Sequence, residues 1–201
     1  MGHEKNQKSK NGDVIESLHA NVSSFFENFF SRYQGQMKCG LGCASCCISG
    51  ITVFPAEAQL IKSWFLSLDP ERQRDIASKW QESTPLGAES GSPGSCVFLV
   101  SNVCSIYPVR PTLCRSQGLP LKIKTDTEIE LSLCELNFQG ESDLPPSGEW
   151  LDLDRLNTLL VIANQAAQAA RFDTELQALI IPETGRISLI LLQSHLLKKM
   201  G

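Results

Sequence analysis

The sequence has no apolar run long enough to cross a bilayer. Its longest aliphatic stretch, Ile187 to Leu192, is interrupted by Ser188, whereas a spanning helix needs about 20 residues. It has no excess of positive charge either. Eighteen Lys and Arg stand against 22 Asp and Glu, a net charge of −4 with a pI near 5.4, so no global basic field draws nucleic acid or anionic lipid. The first ten residues are polar with no apolar run behind them, and Asn6 stands where an acylation site would need Ser or Thr; neither a secretory signal nor a lipid anchor is expected. Histidine is scarce: His3, His19 and His195 are the only three, and no HExxH pair exists. There is no Gly-rich loop behind a strand, no internal repeat, and no helix–strand alternation long enough for a dinucleotide-binding sheet. These absences point to a cytoplasmic protein with no nucleic-acid or membrane partner and no familiar catalytic constellation.

What the chain does have is cysteine. Eight occur in 201 residues, four of them in Cys39-Gly-Leu-Gly-Cys43-Ala-Ser-Cys46-Cys47, followed by Cys96, Cys104, Cys114 and Cys134. So dense a set of thiols suits a disulfide framework, a metal site or redox chemistry. In a reducing compartment thiols stay reduced or bind metal, and about 4% cysteine falls below the roughly 8–10% of a disulfide scaffold. Metal is the leading reading.

The periodicity predicts an α+β fold, mainly α, with helices around an irregular cysteine cluster and a small β-hairpin. Residues 1–12 read as a disordered tail and 13–201 as one domain, with a cysteine-cluster core at about 39–134 and C-terminal helices at 152–199. Apolar residues at Ile15, Leu18, Val22, Phe25, Phe26, Phe29 and Tyr33 predict a helix from an Asp13 cap to near Gly35, its Phe-rich stripe more suited to core burial than to docking a partner. Ile48 to Phe54 reads as extended. Pro55 opens a helix to about Leu68, and Asp69 caps another to about Glu82; Trp64, Phe65, Ile76 and Trp80 are the expected buried contacts. The Gly/Pro/Ser-rich span 83–95 is a loop. Cys96 to Val100 is a short strand or turn, and Leu119–Thr125 with Glu128–Leu133 alternate as a hairpin. After a loop at 139–149, Asp152 caps a helix to about Phe172, with Leu151 and Leu156 spaced as a hydrophobic staple. Ser188 caps the last helix, to about Lys199.

Soft thiolates select zinc, copper(I) or iron–sulfur clusters. A Cys43-x-x-Cys46 pair presents two ligands on one turn, and iron–sulfur clusters also take four cysteines. Eight thiols allow two four-cysteine sites, or one site and spare thiols. Neighbouring side chains tend to point apart, so Cys46 and Cys47 are not expected to chelate one ion together. Pro108 and Pro111 stiffen the loop between Cys104 and Cys114. Arg110 and Arg115 flank Cys114 and are expected to offset the negative charge of a thiolate-bound metal without touching it. Tyr107 is expected to pack, and Ser45 to permit a tight turn.

Cys39…Cys43-x-x-Cys46-Cys47, Cys96-Val-Phe-Leu and Cys104-Ser-Ile-Tyr-Pro-Val-Arg-Pro-Thr-Leu-Cys114-Arg resemble the YkgJ-type cysteine-cluster family, which carries a CxxCxxCC signature. The resemblance covers roughly residues 39–134. It departs at one point: three residues, not two, separate Cys39 from Cys43. The resemblance implies a zinc ion, or iron held singly or as an iron–sulfur cluster, with Cys39, Cys43, Cys46, Cys47, Cys96, Cys104, Cys114 and Cys134 as candidate ligands. Larger relatives of that family include iron–sulfur-associated lysine N-methylases, so a protein-modifying or S-adenosylmethionine-using enzyme is the alternative. Against it stand the short chain and the missing nucleotide loop. A thiol oxidoreductase built on Cys43-x-x-Cys46 lacks the βαβ context that motif needs. Nothing in the sequence specifies a protein partner.

Overall fold

A computed structural model describes residues 12–40, 42–82, 94–140 and 144–200; the expected tail through residue 11 and most of the expected loop at 83–95 lie outside them. Helix α1 (Gly12–Tyr33) is followed by strand β1 (Thr52–Val53), α2 (Pro55–Ser67) and α3 (Pro70–Glu82). Next come β2 (Leu99–Val100), β3 (Val103–Cys104), the short helix α4 (Thr112–Ser116), β4 (Leu121–Lys124) and β5 (Ile129–Ser132). The chain ends with β6 (Leu151–Asp152), α5 (Leu153–Arg171), α6 (Thr174–Gln177), β7 (Ile180–Ile181), β8 (Arg186–Ser188) and α7 (Leu189–Lys198). The architecture is α+β, mainly α.

Local chemistry sets most of these boundaries. Asp69 accepts the Arg72 amide at 2.9 Å and starts α3. Asp152 accepts the Arg155 amide at 2.9 Å, and Ser188 the Ile190 amide at 3.2 Å, each satisfying an amide that a helix start leaves without a partner. Pro55 occupies the first turn of α2. The described part of α1 begins at Gly12, which places Asp13 inside the helix and not at its cap.

The periodic stripe of α1 is spent on two packing partners. Ile15, Leu18 and Val22 meet Leu156, Leu160 and Ala163 of α5, with Leu151 against the same cluster. Further along, Phe29 packs with Met37, Leu119 and Phe138. The largest cluster lies elsewhere: Ile61 and Phe65 of α2, Trp80 of α3, Phe98, and Leu192 and Leu196 of α7. Phe29, Phe65 and Phe98 are fully buried, each contributing roughly 1.5–3 kcal/mol relative to an exposed ring. Trp64 is only partly buried.

Three small sheets tie these clusters together. β4 and β5 form the expected hairpin, and β6 joins β4 in parallel, Leu121 opposite Leu151. β1 pairs antiparallel with β8, Thr52 opposite Ser188, and β7 extends that sheet. β2 and β3 are joined across Ser101 and Asn102, both at positive φ (48° and 60°), the backbone of a type I′ hairpin turn.

Candidate metal centre

The β2–β3 hairpin sets two sulfurs. Cys96 lies three residues before β2 and Cys104 ends β3, opposite Leu99. Each receives a backbone amide from two residues further on: Phe98 N–H reaches the Cys96 sulfur and Ile106 N–H the Cys104 sulfur. Burial pushes both thiols up, and these amides oppose the rise, because an N–H aimed at sulfur favours the thiolate. Cys47 joins them through the backbone, its carbonyl accepting the Cys96 amide at 2.9 Å, while Ile48 bridges to Ser95. Cys114 comes from α4. Its thiol is pushed up to about 12 by burial, with the neighbouring Cys96, Cys104, Cys46 and Glu57 adding to the rise.

The other cysteines are held by a different device. Asn137, 2% exposed, accepts the Lys38 amide at 2.8 Å, donates to the Gly118 carbonyl at 2.8 Å and donates to the Cys39 sulfur at 3.4 Å. Its own amide donates to the Cys134 carbonyl at 2.9 Å. Cys39, which follows α1, and Cys134, which follows β5, are thereby tied to one residue, the first through the Asn137 side chain and the second through its backbone N–H. Gly118 completes the arrangement at φ +89°: a Cβ there would stand 2.3 Å from the Cys39 sulfur. Gly118→Ala should therefore cost roughly 2–5 kcal/mol in a urea melt, combining left-handed strain with a forced shift of that sulfur.

Cys43-x-x-Cys46 lies between the two groups. The Cys43 amide closes a turn onto the Gly40 carbonyl at 3.1 Å, and the Cys43 sulfur stands 3.9 Å from Ser45 Oγ. Cys46 and Cys47 do not point apart as expected. The chain turns at Ser45–Cys46, and the Cys46 thiol donates to the Cys47 sulfur, which raises Cys46 and lowers Cys47.

All eight cysteines are free thiols, Cys46 exposed and the others half-buried. Seven of them line one cavity of about 680 Å³; Cys134 is the one outside its wall. Among the described residues, no carboxylate or imidazole lines that cavity. A hard cation would find no anionic oxygen there, whereas a soft metal would find sulfur on several sides. The donor set thus fits zinc or iron. Among the described residues no three thiol, imidazole or carboxylate groups stand close enough together to hold a metal ion as they are placed.

Arg110 and Arg115 also line the cavity, with different duties. The Arg110 guanidinium lies 3.7 Å from the Tyr107 ring centroid and its charge opposes the rise at Cys104. Arg115 donates to the carbonyls of Arg110 (2.8 Å) and Pro108 (2.7 Å) and to Ser23 Oγ of α1 (2.8 Å). It therefore locks the Pro108–Arg110 loop onto α1. Tyr107 does not pack into the core as expected: it is 59% exposed, and Arg110 covers its ring on the cavity rim.

Two residues behind the site carried no cysteine-like signal in the sequence. Glu57 of α2, 2% exposed, accepts the first amide of α4, Thr112 N–H, at 2.7 Å and the Phe54 amide at 3.2 Å, and lies 3.3 Å from His19 Nε2. Burial pushes this carboxyl up, but the His19 and Thr112 hydrogen bonds outweigh it, and the net shift is downward. The helix carrying Cys114 is thus pinned at its start by a buried carboxylate.

Seven thiols, and no carboxylate among the described residues, face one cavity, the donor set of a thiolate metal site. Residues 38–135, which contain all eight cysteines, match the CxxCxxCC family, described as a putative zinc- or iron-chelating domain. Over that segment the chain is similar to this family, whose description supports metal binding through its cysteines. No curated protein and no solved structure matches the chain. No helix among the described residues is long and apolar enough to cross a membrane.

Proposed function

We propose that the chain chelates zinc or iron at the cysteine-lined cavity, with Cys47, Cys96, Cys104 and Cys114 as one ligand set. That all four line one cavity, brought there by the Cys47–Cys96 backbone contact, the β2–β3 hairpin and α4, supports the reading. Two of the sulfurs already accept backbone amides, which support the thiolate form that ligation needs. Arg110 offsets the negative charge that four thiolates leave on the site, and Arg115 keeps the loop before Cys114 in place.

The burial that raises Cys96, Cys104 and Cys114 keeps these thiols protonated near neutral pH without metal. Metal uptake must displace those protons, so apparent affinity should fall as pH falls from 8 to 6. Competition with a chelator at several pH values checks this; a flat profile would remove these thiols from the ligand set. Anaerobic purification followed by elemental analysis and a visible spectrum distinguishes the metals. Stoichiometric zinc gives a colourless protein. Iron with labile sulfide gives a brown one and identifies a cluster. A protein carrying neither metal, and taking up neither when reduced, would refute the reading.

A further inference from the structure

Two separate hydrogen-bonded frameworks hold cysteines around the cavity. One framework runs from the Cys47 carbonyl to the Cys96 amide at 2.9 Å and through the β2–β3 hairpin to Cys104. The other is centred on Asn137, which holds Cys39 by its sulfur and Cys134 by its carbonyl. Gly118, which has no Cβ, leaves room for the Cys39 sulfur beside it. Cys134 lies off the cavity wall that the other seven cysteines share.

Resting on the metal-binding reading above, we infer that the chain holds two metal centres, the second formed by Cys39, Cys43, Cys46 and Cys134. Adding Cys114 of α4 to the first framework, and Cys43 and Cys46 to the second, gives each four thiolates, the ligand number that zinc and cysteine-bound iron require. The two centres adjoin at Cys46–Cys47, which are neighbours in the chain. The longer Cys39-x₃-Cys43 spacing fits this division. Cys39 takes its position from Asn137 and Gly118, and the Gly40–Cys43 turn absorbs the added residue. Asn137 is then a positioning residue for the second centre, its N–H directed at a ligand sulfur.

The reduced full-length apoprotein titrated anaerobically with Co²⁺ tests the inference, because sulfur-to-cobalt charge transfer reports each thiolate-bound ion. Wild-type protein should saturate at two equivalents. Cys134→Ser and Cys114→Ser should each bind one, and the double variant none. Asn137→Ala should weaken one of the two equivalents by about 10- to 100-fold, as the loss of a hydrogen-bonding partner behind a metal ligand does, and leave the other unchanged. A wild-type endpoint of one equivalent, lost in Cys114→Ser and kept in Cys134→Ser, would overturn the second centre while leaving the metal-binding reading intact. One equivalent lost in both variants would do the same, and would point to a single mixed site. No charge-transfer band in the wild-type protein would overturn both.

Discussion

Cys114→Ser should leave the apoprotein almost as stable as wild type and remove most of the stabilisation that metal provides. The sulfur is half-buried and contributes modest packing, so without metal the exchange should cost about 1 kcal/mol or less. With metal the account changes. A ligand bound only to the folded state stabilises it by RT ln(1 + [L]/Kd), about 2.7 kcal/mol at a hundredfold excess over Kd. Losing one of four thiolates removes much of that term, since metal binding and folding draw on the same free energy. Thermal melts with and without saturating zinc should therefore show a metal-dependent rise in Tm for wild type and little or none for the Cys114 set in the variant. An equal rise in both proteins would remove Cys114 from the ligands. Serine at Cys114 is the sharpest choice in this set because α4 is anchored from behind, so its position should survive the loss of the sulfur.

Much of the local structure was readable in sequence because it rests on local chemistry. Asp69, Asp152 and Ser188 cap the helices their side chains predict, Pro55 opens α2, and polar–apolar alternation marks the β4–β5 hairpin. Strands of two or three residues carry no period, so the pairing of Thr52 with Ser188 and of Leu121 with Leu151 left no trace. The cysteine spacing pointed to the candidate ligands but not to what surrounds them. Asn137 and Gly118 are an ordinary amide and an ordinary glycine until the chain brings them to Cys39. The Cys46–Cys47 contact was misread for a related reason: a general tendency of adjacent side chains gives way where the backbone turns. Tyr107 was misread because the sequence placed Arg110 beside Cys114 and gave no sign that its guanidinium would cover the ring. His19 and Glu57, 38 residues apart, look like a lone helical histidine and a helix-start carboxylate. Their meeting comes from packing α1 against α2.

Glu57→Ala should produce a large loss of stability. Glu57 Oε1 accepts the Thr112 amide and faces His19, and Oε2 accepts the Phe54 amide; all of this lies in the interior. Truncation strands two backbone amides and a ring nitrogen there and opens a small cavity. Removing one member of a buried, hydrogen-bonded polar set of this kind costs about 3–5 kcal/mol, readable as a shifted urea midpoint in the metal-free protein. The effect should depend on pH. The folded pKa of Glu57 lies below its ordinary 4.5. Its contribution is therefore complete above about that pH and is lost as pH falls through the lower folded value. Wild type should lose stability over this acid range, and Glu57→Ala should show a flatter acid limb. Glu57→Gln keeps the volume and one acceptor, so it should fall between the two and lose the same part of the acid limb. The consequence reaches the metal, because Thr112 begins the helix that carries Cys114. Loosening that end should weaken binding at the Cys47/Cys96/Cys104/Cys114 set by about 10- to 100-fold, measured by chelator competition at a temperature where both proteins are folded. Full metal affinity in a destabilised Glu57→Ala would mean that the carboxylate supports the fold without positioning the ligand.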